Sequence, residues 1–243
     1  MAKYWWKKVN RILLPYAIII TALILYRDKF NTVDYILNIL GIKTSYWYIA
    51  YAIKWYLIFW ITTKFFYKYR LYIMAVCGVA MVFLLPNIEA EQSFSFLAGV
   101  LIATNLDKVK QFSRKTIVLW IIASFAFGTI FLAIKQLPVV RDQMDSWIYS
   151  AVQLGIKLPY AITIIGTVAL IPKLVANPLL SLAGLISYEL YLIHMPFYGE
   201  VKGSVTLSLI LFIGSFVAAF LFFRFNNLLS HGTNQLRSRL TTC

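Results

Sequence analysis

Apolar segments of similar length recur along nearly the whole chain, separated by short polar connectors. Most of them approach the roughly 20 residues that an α-helix needs to cross a bilayer, and they exceed the strands of a membrane barrel. The pattern predicts eight spans, at residues 12–25, 46–66, 71–85, 93–105, 116–134, 147–171, 180–198 and 205–223. The predicted fold class is therefore all-α, a polytopic transmembrane helical bundle.

The composition agrees with a multi-pass protein that has the lipid bilayer as its surroundings. Hydrophobic residues make up 61% of the chain and charged residues 13%, whereas soluble domains have about 45–50% and 25%. The net charge is +14, but Lys and Arg concentrate in the connectors on one side of the bundle, where they set its orientation. This distribution argues against nucleic-acid binding. It predicts a single integral domain over residues 1–243 in the cell membrane, with both termini cytoplasmic and a short basic tail at 224–243.

The sequence offers little for metal or nucleotide chemistry. It contains two cysteines and two histidines, so neither a disulfide framework nor a multi-histidine metal centre is expected. It also contains no P-loop and no Gly-rich dinucleotide motif. We therefore expect no metal site and no bound cofactor.

The segment 180–198 carries more polar groups than any other predicted span, namely Ser187, Tyr188, Glu189, Tyr191 and His194. Polar groups inside a bilayer need partners or a cavity, and they indicate function. At about 100° per residue, Ser187, Tyr191 and His194 share one helix face, and Glu189 lies roughly opposite. The segment thus predicts a hydroxyl–phenol–imidazole stripe on one side and a carboxyl group on the other.

His194 is the strongest candidate for chemistry in this segment. Imidazole is the usual general base for a hydroxyl nucleophile. The alternative is a histidine at the membrane interface that only bonds to a neighbouring backbone group.

Charged residues also occur inside other predicted spans. Lys54 and Glu189 either form an ion pair with each other or each line a polar cavity. Lys157 lies beside Pro159, which predicts a kink, and we expect its side chain to snorkel or to fill that kink. Glu89 and Glu91 are expected in a short loop outside the membrane, at residues 86–92.

Aromatic residues crowd the beginning of the second predicted span, and Trp55 and Tyr56 follow Lys54 there. One interpretation is anchoring and packing at the interface. The other is a platform for sugar rings, since aromatic faces suit the apolar faces of pyranoses.

The residues 181–197, SLAGLISYELYLIHMPF, resemble a late span of the membrane acyltransferase family 3. That span commonly reads Gly-Lys-Ile-Ser-Tyr-Ser-Leu-Tyr-Leu-x-His-x-Pro, and here Leu185 replaces the usual Lys and Glu189 the usual small residue. Weaker resemblances follow in the family's order: KKVNRILLPY at 7–16, WYIAYAIKWYLIF at 47–59 and SFLAGVLIA at 95–103.

The resemblance implies an integral membrane O-acyltransferase. Such an enzyme moves an acyl group, often acetyl, from cytoplasmic acyl-CoA as donor substrate to hydroxyl groups of an extracytoplasmic carbohydrate such as a cell-surface polysaccharide. Polysaccharide-synthesis or export proteins would be its partners. On this basis His194 is the expected catalytic residue. The expected substrate-binding residues are Ser187, Tyr188, Glu189, Tyr191, Lys54, Trp55 and Tyr56.

One family feature is absent, a basic residue followed eleven positions later by His in the first span. Ala183 stands eleven positions before His194, and Phe220 stands eleven before His231. The family typically has ten spans, and this chain begins at the segment that enters the third. The expectation is a domain without its first two spans, which is an acyltransferase or the remainder of one. The alternative function is a non-catalytic component of polysaccharide export or transport, and a third interpretation is a non-functional fragment.

Overall fold

The computed structural model describes residues 2–26, 31–44, 46–85, 87–171, 173, 177–197 and 204–240. All regular secondary structure in these residues is helical, which confirms the predicted fold class. In chain order the helices are α1 (Ala2–Lys8), α2 (Leu14–Tyr26), α3 (Thr32–Ile39), α4 (Trp47–Phe65), α5 (Arg70–Leu84), α6 (Asn87–Ala90), α7 (Ser95–Thr104), α8 (Leu106–Lys110), α9 (Arg114–Lys135), α10 (Pro138–Arg141), α11 (Trp147–Leu170), α12 (Pro178–Leu185), α13 (Ser187–His194) and α14 (Val205–Leu240).

Five helical stretches in the described residues are long and apolar enough to cross a membrane. They are Tyr4–Tyr26, Tyr67–Leu84, Arg114–Lys135, Trp147–Leu170 and Val205–Leu229. The bent pair formed by α12 and α13 raises the number to six if it counts as one span. Helix α7 has 10 residues and measures about 15 Å, half of a hydrocarbon core of about 30 Å, so it cannot cross alone. The eight predicted spans are therefore not confirmed.

The chain forms two compact units, one of Met1–Tyr46 with Asn177–Cys243 and the other of Trp47–Ala176. In the first unit, a π-helical turn at Val9–Leu13 joins α1 to α2. Pro15 was predicted in the first turn of a helix, but it lies inside the continuous helical stretch Tyr4–Tyr26, directly after the π-helical turn that interrupts the regular α ladder. Helix α2 packs against α3 and α13, and α13 packs against α14.

The segment predicted as one span at 180–198 is broken in the structure. Helices α12 and α13 meet at an angle of 60°, and the buried residue Ile186 lies between them. The Ser187 hydroxyl donates a hydrogen bond to the Gly184 carbonyl at 2.9 Å. Such a side-chain bond competes with the backbone ladder and favours a bend. Asn177 begins α12, because its side chain accepts a hydrogen bond from the Leu179 N–H at 2.9 Å.

The predicted tail does not begin where the last span ends. Helix α14 runs without interruption through Val205–Leu240, so residues 224–240 continue the helix and residues 241–243 lie outside the described residues.

In the second unit, α9 and α11 form a long helical pair. Glycine permits their close approach: a Cβ atom added at Gly155 would lie 2.4 Å from the Phe131 ring, and one at Gly128 would lie 3.0 Å from the Tyr160 ring. Pro159 lies inside α11, which remains one helix. A second core forms between α4, α5 and α7 around Tyr51, Trp55, Met74, Met81 and Leu97.

Candidate functional site

His194 lies at the C-terminal end of α13, and its ring is held by the turn before it. The Nδ1 atom is 2.7 Å from the Leu190 carbonyl oxygen. A carbonyl oxygen can only accept, so Nδ1 carries a proton in this bond, and in the neutral imidazole Nε2 is then the nitrogen with the lone pair. Nε2 makes no hydrogen bond within the described part of the chain. The backbone bond expected of an interfacial histidine is thus present, and it also leaves Nε2 able to accept a proton.

Within the first unit, a row of aromatic rings leads from His194 to the buried residues Tyr46 and Tyr16. The Tyr191 ring lies edge-on to the imidazole at a centroid distance of 6.2 Å, and Tyr46 lies edge-on to Tyr191 at 5.8 Å. Tyr16 continues the row at 5.5 Å from Tyr46. Tyr16 and Tyr46 are almost completely buried. Edge-to-face contacts of this kind stabilise beyond the buried area alone, so the row fixes the setting of the imidazole.

Tyr46 also corrects a defect in the helix backbone next to His194. The Leu192 carbonyl would normally accept from the backbone nitrogen four residues later, but that residue is Pro196, which has no N–H. The Tyr46 hydroxyl donates to this carbonyl instead, at 2.8 Å. Sequence reasoning did not select Tyr16 and Tyr46 as site residues. The one signal in the sequence was Pro196, which leaves the Leu192 carbonyl without its usual backbone donor and so calls for a donor from elsewhere in the chain.

Ser187 and Tyr188 lie one to two turns before His194. Ser187 is exposed on the face it shares with Tyr191 and His194, as the helical spacing predicted. Seven residues of helix span about 10 Å, so Ser187 and His194 cannot contact each other directly. The Tyr188 hydroxyl donates to the Ile12 carbonyl at 2.6 Å and ties α13 to the π-helical turn.

Glu189 lies on the opposite, buried face of α13, with 7% of the residue exposed. The Asn226 side chain lies beside its carboxyl group, and the positive charge of Arg11 acts on it within the same unit. The Asn226 amide is itself buried without a hydrogen bond of good geometry, so its contact with Glu189 is an approach rather than a formed bond. The predicted separation of Glu189 from the polar stripe is confirmed.

Lys54 has a different partner from the one predicted. Its Nζ atom lies 2.5 Å from Oε2 of Glu89, and the prediction of a pair with Glu189 is wrong. Lys157 pairs with Glu91, a partner that the sequence did not predict. The loop expected at 86–92 contains helix α6, and Glu89 and Glu91 are buried within the protein. The physical reason is mutual neutralisation, because two lysines inside helices need counter-charges and the acidic segment folds inward to supply them. The position of this segment relative to the membrane stays a prediction.

Trp55 and Tyr56 pack around Phe96. The Trp55 ring is completely buried and stacks on Phe96 at 5.4 Å, with 10° between the ring planes. The Tyr56 ring lies edge-on to Phe96 at 5.6 Å. This arrangement favours the packing interpretation for Trp55, and the sugar-binding roles of both residues stay predictions. Among the described residues, no group of three His, Cys, Asp or Glu side chains could hold a metal ion.

Comparison with known proteins identifies the family. The family model of acyltransferase family 3, an acyltransferase domain, matches residues 1–228, which is nearly the whole chain. No curated protein and no solved structure gives a significant match. The match covers the late span that carries His194 and the earlier segments that resembled the family. The chain therefore belongs to membrane acyltransferase family 3.

Proposed function

We propose that this protein transfers an acyl group, acetyl in the simplest case, from acyl-CoA at the cytoplasmic face of the cell membrane to a hydroxyl group of an extracytoplasmic glycan. The observation that carries the proposal is the family match over residues 1–228. The donor, the acyl group and the glycan acceptor are what the family resemblance implies for this chain.

His194 would act as the general base. Its Nε2 atom would accept the proton of the acceptor hydroxyl while the hydroxyl oxygen attacks the thioester carbonyl carbon. A new carbon–oxygen bond forms, the carbon–sulfur bond breaks, and the proton passes from His194 to the departing sulfur, so that CoA leaves as a free thiol. Tyr191 and Tyr46 act as positioning residues, because they hold the imidazole through ring contacts and the Leu192 carbonyl.

The donor would meet basic residues near the N-terminus. Lys7, Lys8 and Arg11 lie close together in α1 and in the π-helical turn that follows it. Phosphate groups bind strongly to such side chains through charge-assisted hydrogen bonds, and CoA carries several phosphates. The same residues also orient the chain by the positive-inside rule, so they support the proposal without carrying it.

The test uses the full chain in proteoliposomes with acetyl-CoA as donor. Maltotriose and N-acetylglucosamine oligomers serve as acceptors, and release of CoA thiol is the measured signal. We expect thiol release that depends on acceptor and that falls about 100-fold or more in His194→Ala, since positioned bases contribute about 10²–10⁴-fold. His231→Ala is the matched control and should keep full activity. Full activity in His194→Ala would refute the role of His194.

A second candidate function is glycan export without catalysis. Two intramembrane ion pairs, Lys54 with Glu89 and Lys157 with Glu91, suit a polar pathway through the second unit. An exporter would carry glycan across the membrane without releasing CoA thiol. The same proteoliposomes distinguish the two functions when glycan transport and thiol release are measured together.

A further inference from the structure

The first turns of α9 (Arg114–Lys135) carry an open groove of about 580 Å³ on one face of the helix. The groove is lined by two basic and three apolar side chains, Arg114, Lys115, Val118, Leu119 and Ile122. Residues at these spacings stack along one side of an α-helix, so the basic pair comes first and the apolar side chains follow one to two turns later. The groove is therefore charged at one end and apolar along the rest of its length.

The groove lies on a different side of α9 from the contact with α11, its partner in the helical pair. A Cβ atom added at Gly166 of α11 would lie 2.8 Å from the Ile121 side chain and 3.8 Å from that of Ile117, and neither isoleucine lines the groove. The apolar side chains of the groove stay open instead, since Leu119 is 67% exposed and Ile122 is 60% exposed. The groove is thus available to a molecule of the surroundings.

The length of α9 places the basic pair at the surface of the hydrocarbon core. The helix is one of the stretches able to cross a membrane, and its 22 residues measure about 33 Å against a core of about 30 Å. Charged residues stand at both ends, Arg114 with Lys115 at one and Lys135 at the other, and such residues are costly inside the core. The basic pair therefore lies at the level of the phospholipid headgroups. Ile122 comes eight residues after Arg114 and lies about 12 Å deeper, among the acyl chains.

The beginning of α5 supports this level for the beginning of α9. The Arg70 guanidinium lies 4.8 Å from the centre of the exposed Tyr67 ring, and exposed tyrosines are typical of a membrane interface. Arg70 Nη2 also donates to the Thr104 hydroxyl at 3.3 Å. Residues 105–113, which lead from Thr104 to α9, carry three charges that keep them out of the core. Both spans therefore begin on the same side of the membrane.

The positive charge at the beginning of α9 is not neutralised within the described residues. Residues 105–115 contain four basic groups and one acidic group, Asp107, which sum to +3. No ion pair among the described residues involves Arg114 or Lys115. Unpaired cations at the surface of a bilayer attract the headgroups of anionic lipids.

Charge and apolar surface together define the molecule that fits the groove. A free phosphate would use the basic pair but not the apolar side chains, and the ammonium group of a zwitterionic lipid would be repelled by the basic pair. A phospholipid with a net negative headgroup complements both parts, because its phosphate accepts charge-assisted hydrogen bonds from the basic pair while an acyl chain covers the apolar part. The positive-inside rule accounts for the number of basic residues here, but not for their place at the end of an apolar groove.

We propose that this face of α9 binds an anionic phospholipid of the surrounding bilayer. Arg114 and Lys115 hold the headgroup phosphate, and Val118, Leu119 and Ile122 hold one acyl chain. The bound lipid fixes the depth of the α9–α11 pair at this end. The site goes beyond the proposed function and does not depend on it, and its test does not measure acyl transfer.

The first experiment uses the unmodified full chain in proteoliposomes. They contain a trace of phosphatidylglycerol or of phosphatidylcholine that carries a photoreactive diazirine in one acyl chain. Phosphatidylglycerol should label the peptide 116–135 several-fold more than phosphatidylcholine, and an excess of unlabelled phosphatidylglycerol should suppress this labelling. Equal labelling by the two lipids would overturn the proposal, because the groove would then not select its lipid. Suppression by acetyl-CoA would overturn it as well, because the occupant would then be the acyl donor.

The second experiment measures the dissociation constant of phosphatidylglycerol for the delipidated chain in detergent, by native mass spectrometry. Arg114→Gln/Lys115→Gln removes both charges from the groove. Lys108→Gln/Lys110→Gln is the matched control, because it removes the same charge from the same region outside the groove. Each basic residue near an anionic headgroup contributes about fivefold in affinity, so the groove variant should bind about 10–30-fold more weakly and the control less than about threefold.

Val118→Trp fills the apolar part of the groove without changing the charge, and it should also weaken binding several-fold. Unchanged binding in this variant or in the groove variant would overturn the site. Equal losses in the groove variant and in its control would overturn it too, because affinity would then follow total charge alone. The labelling experiment needs no variant, so it decides the question by itself if a variant fails to fold.

Discussion

Replacing Lys157 with Met removes the counter-charge of a buried carboxylate. Glu91 would keep its charge while only 8% of its side chain is exposed. Breaking a buried ion pair by removing one partner costs about 3–5 kcal/mol of folding free energy. The loss has an upper limit, because the carboxylate can take up a proton, and protonating a glutamic acid at pH 7 costs about 3.7 kcal/mol in water. We therefore expect Lys157→Met to lower the free energy of unfolding by about 3–4 kcal/mol at pH 7.

Proton uptake by Glu91 in the variant also sets the sign of the pH dependence of its stability. If the folded variant holds a proton at Glu91 and the unfolded chain does not, the folded state binds one more proton. The stability of the variant then falls as pH rises, by about 1.4 kcal/mol per unit. At pH 5 the deficit should therefore shrink to about 1 kcal/mol.

Unfolding would be followed by tryptophan fluorescence in a phosphocholine detergent at pH 7 and pH 5. Glu91→Gln and the double variant Lys157→Met/Glu91→Gln complete a mutant cycle. The double variant should be markedly more stable than Lys157→Met at pH 7, because it leaves no unpaired carboxylate. Equal stability of the single and double variants, or a deficit of Lys157→Met that does not change with pH, would contradict an unpaired carboxylate at Glu91.

Two further predictions concern packing and a backbone defect. Gly155→Ala should destabilise the α9–α11 pair by about 1–2 kcal/mol in the same assay, because the new methyl group overlaps the Phe131 ring. Gly99→Ala, which has open space around it, should be neutral or stabilising. Tyr46→Phe should cost about 1–3 kcal/mol, because the Leu192 carbonyl loses its donor. It should also reduce acyl transfer, and an unchanged rate of CoA thiol release would contradict the positioning role.

Helices were predicted well where their signal was local. The predicted span 116–134 corresponds to α9 (Arg114–Lys135), and 147–171 corresponds to α11 (Trp147–Leu170). In both cases a continuous apolar run sets the length, and Ser113 and Ser146 cap the helices. The inward fold of the acidic segment could not be predicted in this way. Polar residues between spans usually indicate an exposed loop, and only the three-dimensional fold brings Glu89 and Glu91 to their lysines.

In the candidate site, too, the arrangement of residues close together in the sequence could be predicted, and contacts between residues far apart in the sequence could not. The shared face of Ser187, Tyr191 and His194 follows from helix geometry, and the structure has it within α13. The contact of Tyr46 with the Leu192 carbonyl spans 146 residues, and no pattern in one sequence specifies such a distance. The bend at Ile186 is accompanied by one serine hydroxyl bond to the backbone, which is too weak a local signal to predict a broken helix from the sequence.

The π-helical turn at Val9–Leu13 has a consequence for the register of the N-terminal helix. A π turn holds one residue more than an α turn, so the residues before it are rotated by roughly 100° relative to a continuous α-helix. A single helical wheel drawn from residue 2 to residue 26 would therefore assign Lys7 and Lys8 to the wrong side of the helix. Deleting one residue of the turn would therefore rotate Lys7 and Lys8 to another side of the helix axis while leaving α2 unchanged.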